Sequence, residues 1–297
     1  MPLTAKAAAL AAAVPPALAV QLRLADATAA TQLGGLTNRG ACFVTPVGRF
    51  AVRLAWPDPG GAVDHEAAVA AARWAGAVGI GAELLFADPA RGLTVSRWLD
   101  GEPASPALLA ARAGSAGALL RRVHGATPGW GRSIDYAALL AAFADRAGPA
   151  AALPPAQAEA LQTAVAALAA SALAQVPSHG DPVPANWLVA PQGLRLIDWD
   201  YAARHDPAWD LAWLAREAAF DQAAEASLLA GYAQPSVDAE RLSVLRLLVT
   251  RVGVLWGTAR AQQPGLPDAT AWTMACRAEF DARIADPALP ERVAALR

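Results

Sequence analysis

The sequence predicts an α+β protein: a small strand-rich N-terminal lobe over residues 1–98, then a larger helical lobe over residues 99–297. Three observations lead there. Short runs of strand-forming residues crowd the first hundred positions, and helical spacing dominates after residue 102. The chain has 297 residues with 55% hydrophobic content, enough to bury a core in each lobe.

In the first third, Ala41 to Thr45 and Phe50 to Ala55 are strand-like and flank the turn formers Pro46, Val47 and Gly48, which spells a hairpin. Asp64 is placed to cap a helix, with Glu66 in its first turn, where a carboxylate suits the helix dipole. Gly92 to Trp98 reads as another strand, ending at Asp100 and Gly101. Ser105 as N-cap and Pro106 at the first position open a helix running towards His124. Further helices are expected at about 134–147, 156–175, 207–219, 222–232 and 238–262. The alanine-rich tracts keep helical spacing through Leu161, Val165 and Leu168, so they read as packed helices.

The charge balance, 24 basic against 26 acidic residues, leaves no large field of one sign. Neither nucleic acid nor an anionic membrane is therefore an expected partner, and a small molecule is. Cys42 and Cys276 give neither a disulfide framework nor a metal spacing, and suit the reduced thiols of a cytoplasmic protein. The apolar run Ala7 to Val14 after Lys6 imitates a secretory leader, but Pro15 and Pro16 interrupt it. Lys6 is the only lysine in the chain. No lysine chemistry is therefore expected beyond it.

The chemistry concentrates between Ser178 and Ala215. Trp187 to Ala190 and Leu194 to Ile197 are short apolar strands, joined by Pro191, Gln192 and Gly193. With a three-residue connection, residue 187 pairs with 197, and Asn186 and Asp198 face each other just past the strand ends. Cross-strand β-carbons lie about 4.5–5.5 Å apart, close enough for an amide oxygen and a carboxylate to share one magnesium ion. Asp181, five residues before Asn186, is positioned to accept or orient the proton of an attacking hydroxyl. His179 is expected to brace that loop by hydrogen bonding, with proton transfer in catalysis as the alternative.

These residues carry a resemblance. HGD at 179–181 with Asn186, then IDW at 197–199 and DPAWDLA at 206–212, resembles the superfamily of choline, ethanolamine and thiamine kinases and aminoglycoside phosphotransferases. GGLTNR at 34–39 and RRVHG at 121–125 resemble further motifs of its choline and thiamine kinase branch. The resemblance implies a two-lobed protein-kinase-like fold, with ATP and Mg2+ as cofactors. It makes Asp181 the catalytic aspartate, Asn186 and Asp198 the metal positions, and Asp210 the buried aspartate that holds the catalytic loop. Gly35, Thr37 and Asn38 belong to the phosphate loop, and the GxxxxGK[ST] pattern of a P-loop is missing. Arg53, with Glu66 as its expected partner from the next helix, takes the place of the strand cation that touches phosphate. Ser96 to Leu99, including Trp98, matches the hinge that contacts adenine.

For the acceptor, Trp209, Trp213 and Glu217 recur every four residues and share a helix face. Trp256 matches the first of two tryptophans in a choline kinase segment, and Ala259 stands in place of the second. Asp200, Trp213, Glu217 and Trp256 are thus the expected acceptor residues, suited to a cationic alcohol. An aminoglycoside acceptor, or a non-catalytic nucleotide-binding protein, is the alternative.

Overall fold

Strand alternation in the first hundred residues closes into one sheet. The computed structural model describes residues 3–34, 38–56, 63–171, 173–263 and 268–296. The chain divides into two compact units, one of Met1–Pro103, Pro128–Gly131 and Ala185–Ala202, the other of Ala104–Thr127, Arg132–Pro184 and Ala203–Arg297. In the first, β1 (Ala29–Leu33), β2 (Asn38–Thr45), β3 (Gly48–Ala55), β4 (Leu84–Asp88) and β5 (Leu93–Arg97) form an antiparallel sheet in the order β1-β2-β3-β5-β4. The expected β2–β3 hairpin turns at Pro46 and Val47, with Thr45 opposite Gly48 at φ +139°, a conformation that favours glycine.

The residues that imitate a leader are α1 (Ala5–Ala13), capped by the Thr4 hydroxyl, followed by α2 (Pro16–Gln21). Ala7, Leu10 and Val14 pack into the core made by Phe43, Phe50, Val52, Leu93 and Val95 on one face of the sheet. Each fully buried phenylalanine or leucine there contributes roughly 1.5–3 kcal/mol. Strand alternation puts Arg53, one residue on from Val52, on the opposite face. The helix expected after Asp64 is α3 (His65–Ala77), and the Asp64 carboxylate accepts the Ala67 amide at 3.0 Å.

After the short β6 (Glu102–Pro103), the second unit begins. Ser105 caps as expected, but the helix it opens is two, α4 (Pro106–Ala111) and α5 (Ala113–His124), because the chain breaks stride at Arg112 with φ −116°. Then come α6 (Tyr136–Ala147), α7 (Pro155–Ala170) and β7 (Val176–Ser178). The chain returns to the first unit as the hairpin β8 (Trp187–Ala190) and β9 (Gly193–Leu196), which forms a small sheet with β6 in the order β6-β8-β9. Back in the second unit, β10 (Ala203–His205) pairs with β7 and leads to α8 (Ala208–Glu217), α9 (Gln222–Tyr232), α10 (Ala239–Arg260), α11 (Thr270–Ile284) and α12 (Leu289–Ala295). Among the described residues α10 alone is long and apolar enough to cross a membrane, and 78% of its apolar window is buried against the rest of the protein.

Helices α5 and α9 touch backbone to backbone. A β-carbon on Gly117 would lie 2.2 Å from the Leu228 carbonyl oxygen, and one on Gly231 would lie 2.0 Å from the Gly114 carbonyl oxygen. Neither neighbour is a side chain that can swing away. Gly231→Ala is therefore expected to lower stability by about 2 kcal/mol through overpacking, read as a fall of several degrees in Tm. An unchanged Tm would contradict the close contact.

Candidate active site

In the first unit the β8–β9 hairpin corrects the expected register. Trp187 pairs with Leu196 and Ala190 with Gly193, so the turn holds only Pro191 and Gln192. Gly193, at φ +113°, enters the ladder instead of ending the turn. Asn186 consequently faces Ile197, whose amide donates to the Asn186 carbonyl oxygen at 2.9 Å. Asp198 follows as the next residue in a left-handed conformation, φ +67°, rare without glycine and seen where a site constrains the backbone.

Asp198 meets Arg53 of β3. Arg53 Nη2 lies 2.5 Å from Asp198 Oδ1 and 3.7 Å from Asp200 Oδ2. Asn38, at the start of β2, joins the group: its Nδ2 donates to Asp200 Oδ2 at 2.8 Å, and its Oδ1 accepts from Arg53 Nε at 3.1 Å. Two carboxylates therefore share one cation. Burial pushes the Asp198 carboxyl up and, although Arg53 pulls it down, nearby Asp200 leaves it above the usual range. Burial works against the Arg53 charge, yet the two aspartates hold it firmly protonated. Asp198 Oδ1 is buried and has no aligned hydrogen bond despite its close guanidinium. These features fit a hard divalent cation, which oxygen donors of this kind bind. Among the described residues no group of three His, Cys, Asp or Glu side chains is gathered for a metal.

Several expected residues stand elsewhere. The Arg53–Glu66 ion pair is not formed: Glu66 lies exposed in the first turn of α3, which turns Ala67, Ala68, Val69 and Ala71 inward, while Arg53 is held by carboxylates that follow β9. Asp200, expected beside the acceptor, sits with Arg53 and Asn38 instead. Gly35 and Thr37 lie outside the described residues. Ser96 pairs with Ala51 in the sheet, and the Trp98 amide donates to the Arg49 carbonyl oxygen at 2.8 Å. Sequence reasoning missed Trp130. Its ring meets Trp199 edge-on at 5.8 Å and lies 5.2 Å from Trp74 of α3, pinning the residue between Asp198 and Asp200. Its only sequence signal was an isolated tryptophan in a Pro/Gly turn.

In the second unit the loop carrying Asp181 hangs from Asp210 of α8. The fully buried Asp210 accepts the His179 amide at 2.8 Å and the Gly180 amide at 2.9 Å, and its Oδ2 lies 3.0 Å from His124 Nε2. His124, at the end of α5, also contacts the Tyr232 hydroxyl of α9 through Nδ1 at 2.8 Å. Burial would raise the Asp210 carboxyl, but hydrogen bonds and charge from His124 and His179 outweigh it and hold it low. The Asp181 amide donates to His179 Nδ1 at 3.3 Å, a bracing contact, and the Trp209 indole N–H donates to the Gly180 carbonyl oxygen at 3.2 Å. These contacts fix the backbone of the loop up to Asp181.

Below the loop, His205 and Tyr136 both lie nearly parallel to the Trp209 ring, at 4.6 and 5.0 Å. Burial pushes the His205 pKa down to about 4, and its Nδ1 has no partner. The unfolded chain binds this proton near pH 6.5 and the folded one only near 4. Stability from this residue is thus complete above about pH 6.5 and falls as the pH drops towards 4, by about 3 kcal/mol. Urea unfolding at pH 7 and pH 5 measures it, and His205→Asn should flatten the difference.

The residues expected beside the acceptor divide. Glu217 accepts from the Trp272 indole N–H at 3.1 Å, and Trp272 meets Trp256 edge-on at 5.5 Å, so α8, α10 and α11 bring these three together. Trp213 is 6% exposed and packs edge-on against Trp209 at 6.4 Å, with no hydrogen bond to its indole N–H. Arg260 already covers Trp256 at 5.0 Å, and Arg216 covers Trp272 at 5.5 Å. Trp272 was missed because nothing in its own helix marks it; only the third dimension sets it beside Trp256.

Residues 29–244 match the model of the phosphotransferase enzyme family. A choline/ethanolamine kinase family protein from Mesorhizobium loti has a similar structure, with TM-score 0.80, 25% identity and 98% of each chain covered. Choline kinase LicA from Streptococcus pneumoniae gives TM-score 0.78 at 19% identity, over 89% of this chain and 95% of that one. APH(2")-IIIa, in its GDP and kanamycin complex, gives 0.63 at 14% identity, over 90% and 98%. No curated protein matches. The expected protein-kinase-like, two-lobed fold is the fold of these neighbours.

Proposed function

Because this chain belongs to the phosphotransferase enzyme family, we propose that it is an ATP- and magnesium-dependent kinase for a hydroxyl of an amino alcohol or a related small metabolite. The observation that carries the reading is Arg53 on β3 lying 2.5 Å from Asp198; the reading makes the first a phosphate-binding cation and the second a metal-binding carboxylate. In this reading Asn186 and Asp198 hold the magnesium ion, which when bound neutralises charge on the phosphates. Arg53 binds phosphate with its guanidinium fork, together with the loop of Gly35 and Thr37 that precedes Asn38. The stretch from Ser96 to Trp98, matched to the hinge, is the proposed region of contact for the base. Asp181, on the loop that Asp210 holds, orients the acceptor hydroxyl and takes its proton late in the transfer. Trp213, Glu217 and Trp256 line the acceptor side. Free, buried Cys42 and Cys276 suit work in the cytoplasm.

The guanidinium over Trp256 bears on which acceptor is used. A quaternary ammonium would share that ring with Arg260, which disfavours choline against a smaller or neutral alcohol. The test is ADP release over choline, ethanolamine, thiamine, methylthioribose, homoserine and kanamycin, with ATP and GTP compared. Turnover confined to kanamycin would replace the metabolite reading with the antibiotic one. Nucleotide binding without turnover of any alcohol would reject both.

A further inference from the structure

The side chain of Asn38 is engaged inside the protein. It is 6% exposed, and its carboxamide uses both ends: Oδ1 accepts from Arg53 Nε at 3.1 Å and Nδ2 donates to Asp200 Oδ2 at 2.8 Å. With one edge of the guanidinium fixed, Nη2 is delivered to Asp198 Oδ1 at 2.5 Å. We propose that Asn38 is a positioning residue that docks Arg53 against Asp198 and Asp200, so that the guanidinium stands where a divalent cation belongs until nucleotide phosphate draws it away.

The physical case is a charge count. Asp198, Asp200 and Arg53 sum to −1, and a metal ion arriving alone must compete with a tethered cation. Nucleotide changes the balance, because its phosphates offer the arginine fork a two-point partner and so free Asp198. Metal and nucleotide then bind with positive coupling, and coupling is reciprocal. An asparagine suits the joint because its amide donates to a carboxylate and accepts from a guanidinium at once. A carboxylate there could not donate to Asp200, and a leucine could do neither.

This inference rests on the reading of Asp198 as a metal ligand, and the experiment separates the two. Mn2+ binding to the nucleotide-free protein is measured by electron paramagnetic resonance, then repeated with ADP. The wild type should bind Mn2+ weakly alone and at least about tenfold more tightly with ADP, the size of a typical coupling. Arg53→Gln should bind Mn2+ alone about tenfold more tightly than the wild type, with the ADP effect nearly gone. Asn38→Ser, which keeps Arg53 but releases it, should fall between them. Asp198→Asn should lose the tight Mn2+ site in every background. If Asp198→Asn does lose it but Arg53→Gln binds free Mn2+ no better than the wild type, the docking role is overturned and the metal site stands. If Asp198→Asn binds Mn2+ unchanged, the metal assignment falls and takes the docking role with it.

Discussion

Asp181→Asn is expected to cut kcat about a thousandfold while leaving nucleotide affinity and acceptor KM nearly unchanged. The size follows from the range for a positioned acid–base group, about a hundred- to ten-thousandfold. The split between kcat and KM follows from the role: a group that acts on the proton as it leaves contributes in the transition state, not in the ground state. Asparagine keeps the size of the side chain, and the loop is held by other residues, through the His179 and Gly180 amides on Asp210. A fold defect is therefore not expected to imitate the loss. Asp198→Ala should differ, removing the metal dependence of the reaction and weakening magnesium–nucleotide binding with it. Steady-state ADP release at varied acceptor concentration, with Tm as the control, separates the two patterns. Full activity in Asp181→Asn would remove it from the chemistry.

Most of the architecture was legible because it rests on local signals. The β2–β3 hairpin follows from alternation around a Pro/Gly turn, and α3, α4 and α9 begin at Asp64, Ser105 and Asp221, whose side chains accept the amides that a helix start leaves free. The misses are non-local or depend on backbone conformation. The β8–β9 register slipped by one residue because glycine fits a turn and a strand end equally well, and spacing does not say that Gly193 pairs with Ala190. Asp198 reaches its place through a left-handed φ that no residue type announces. Glu66 is the helix carboxylate nearest to Arg53 in sequence, yet the partners of Arg53 lie about 145 residues further along the chain. Helices α11 and α12 went unread, since Thr270–Ile284 buries only Cys276, Phe280 and Ile284 and shows little apolar periodicity.

The His–Gly–Asp loop depends on one carboxylate, so Asp210→Ala is expected to be the most damaging substitution in the helical unit. Removing it leaves the His179 and Gly180 amides and the His124 ring without their partner in a site where Asp210, His179 and Ser178 have no exposure. An unsatisfied buried donor costs roughly 1–3 kcal/mol, and losing one side of a buried charged contact roughly 3–5. The combined loss should be about 4 kcal/mol in urea unfolding, less than the sum because water can enter the space left behind. Activity should fall further than stability alone explains, because Asp181 follows Gly180 directly and shares its backbone. Asp210→Asn separates the two effects: His179 and Gly180 donate to different oxygens of Asp210, so asparagine keeps an acceptor for one loop amide and turns its NH2 towards the other. It should recover part of the stability and less of the turnover. Amide exchange gives the most direct reading, since the His179 and Gly180 N–H groups should become fast in Asp210→Ala while those of α10 stay protected. Unchanged exchange at those two amides would mean that the loop is held from elsewhere.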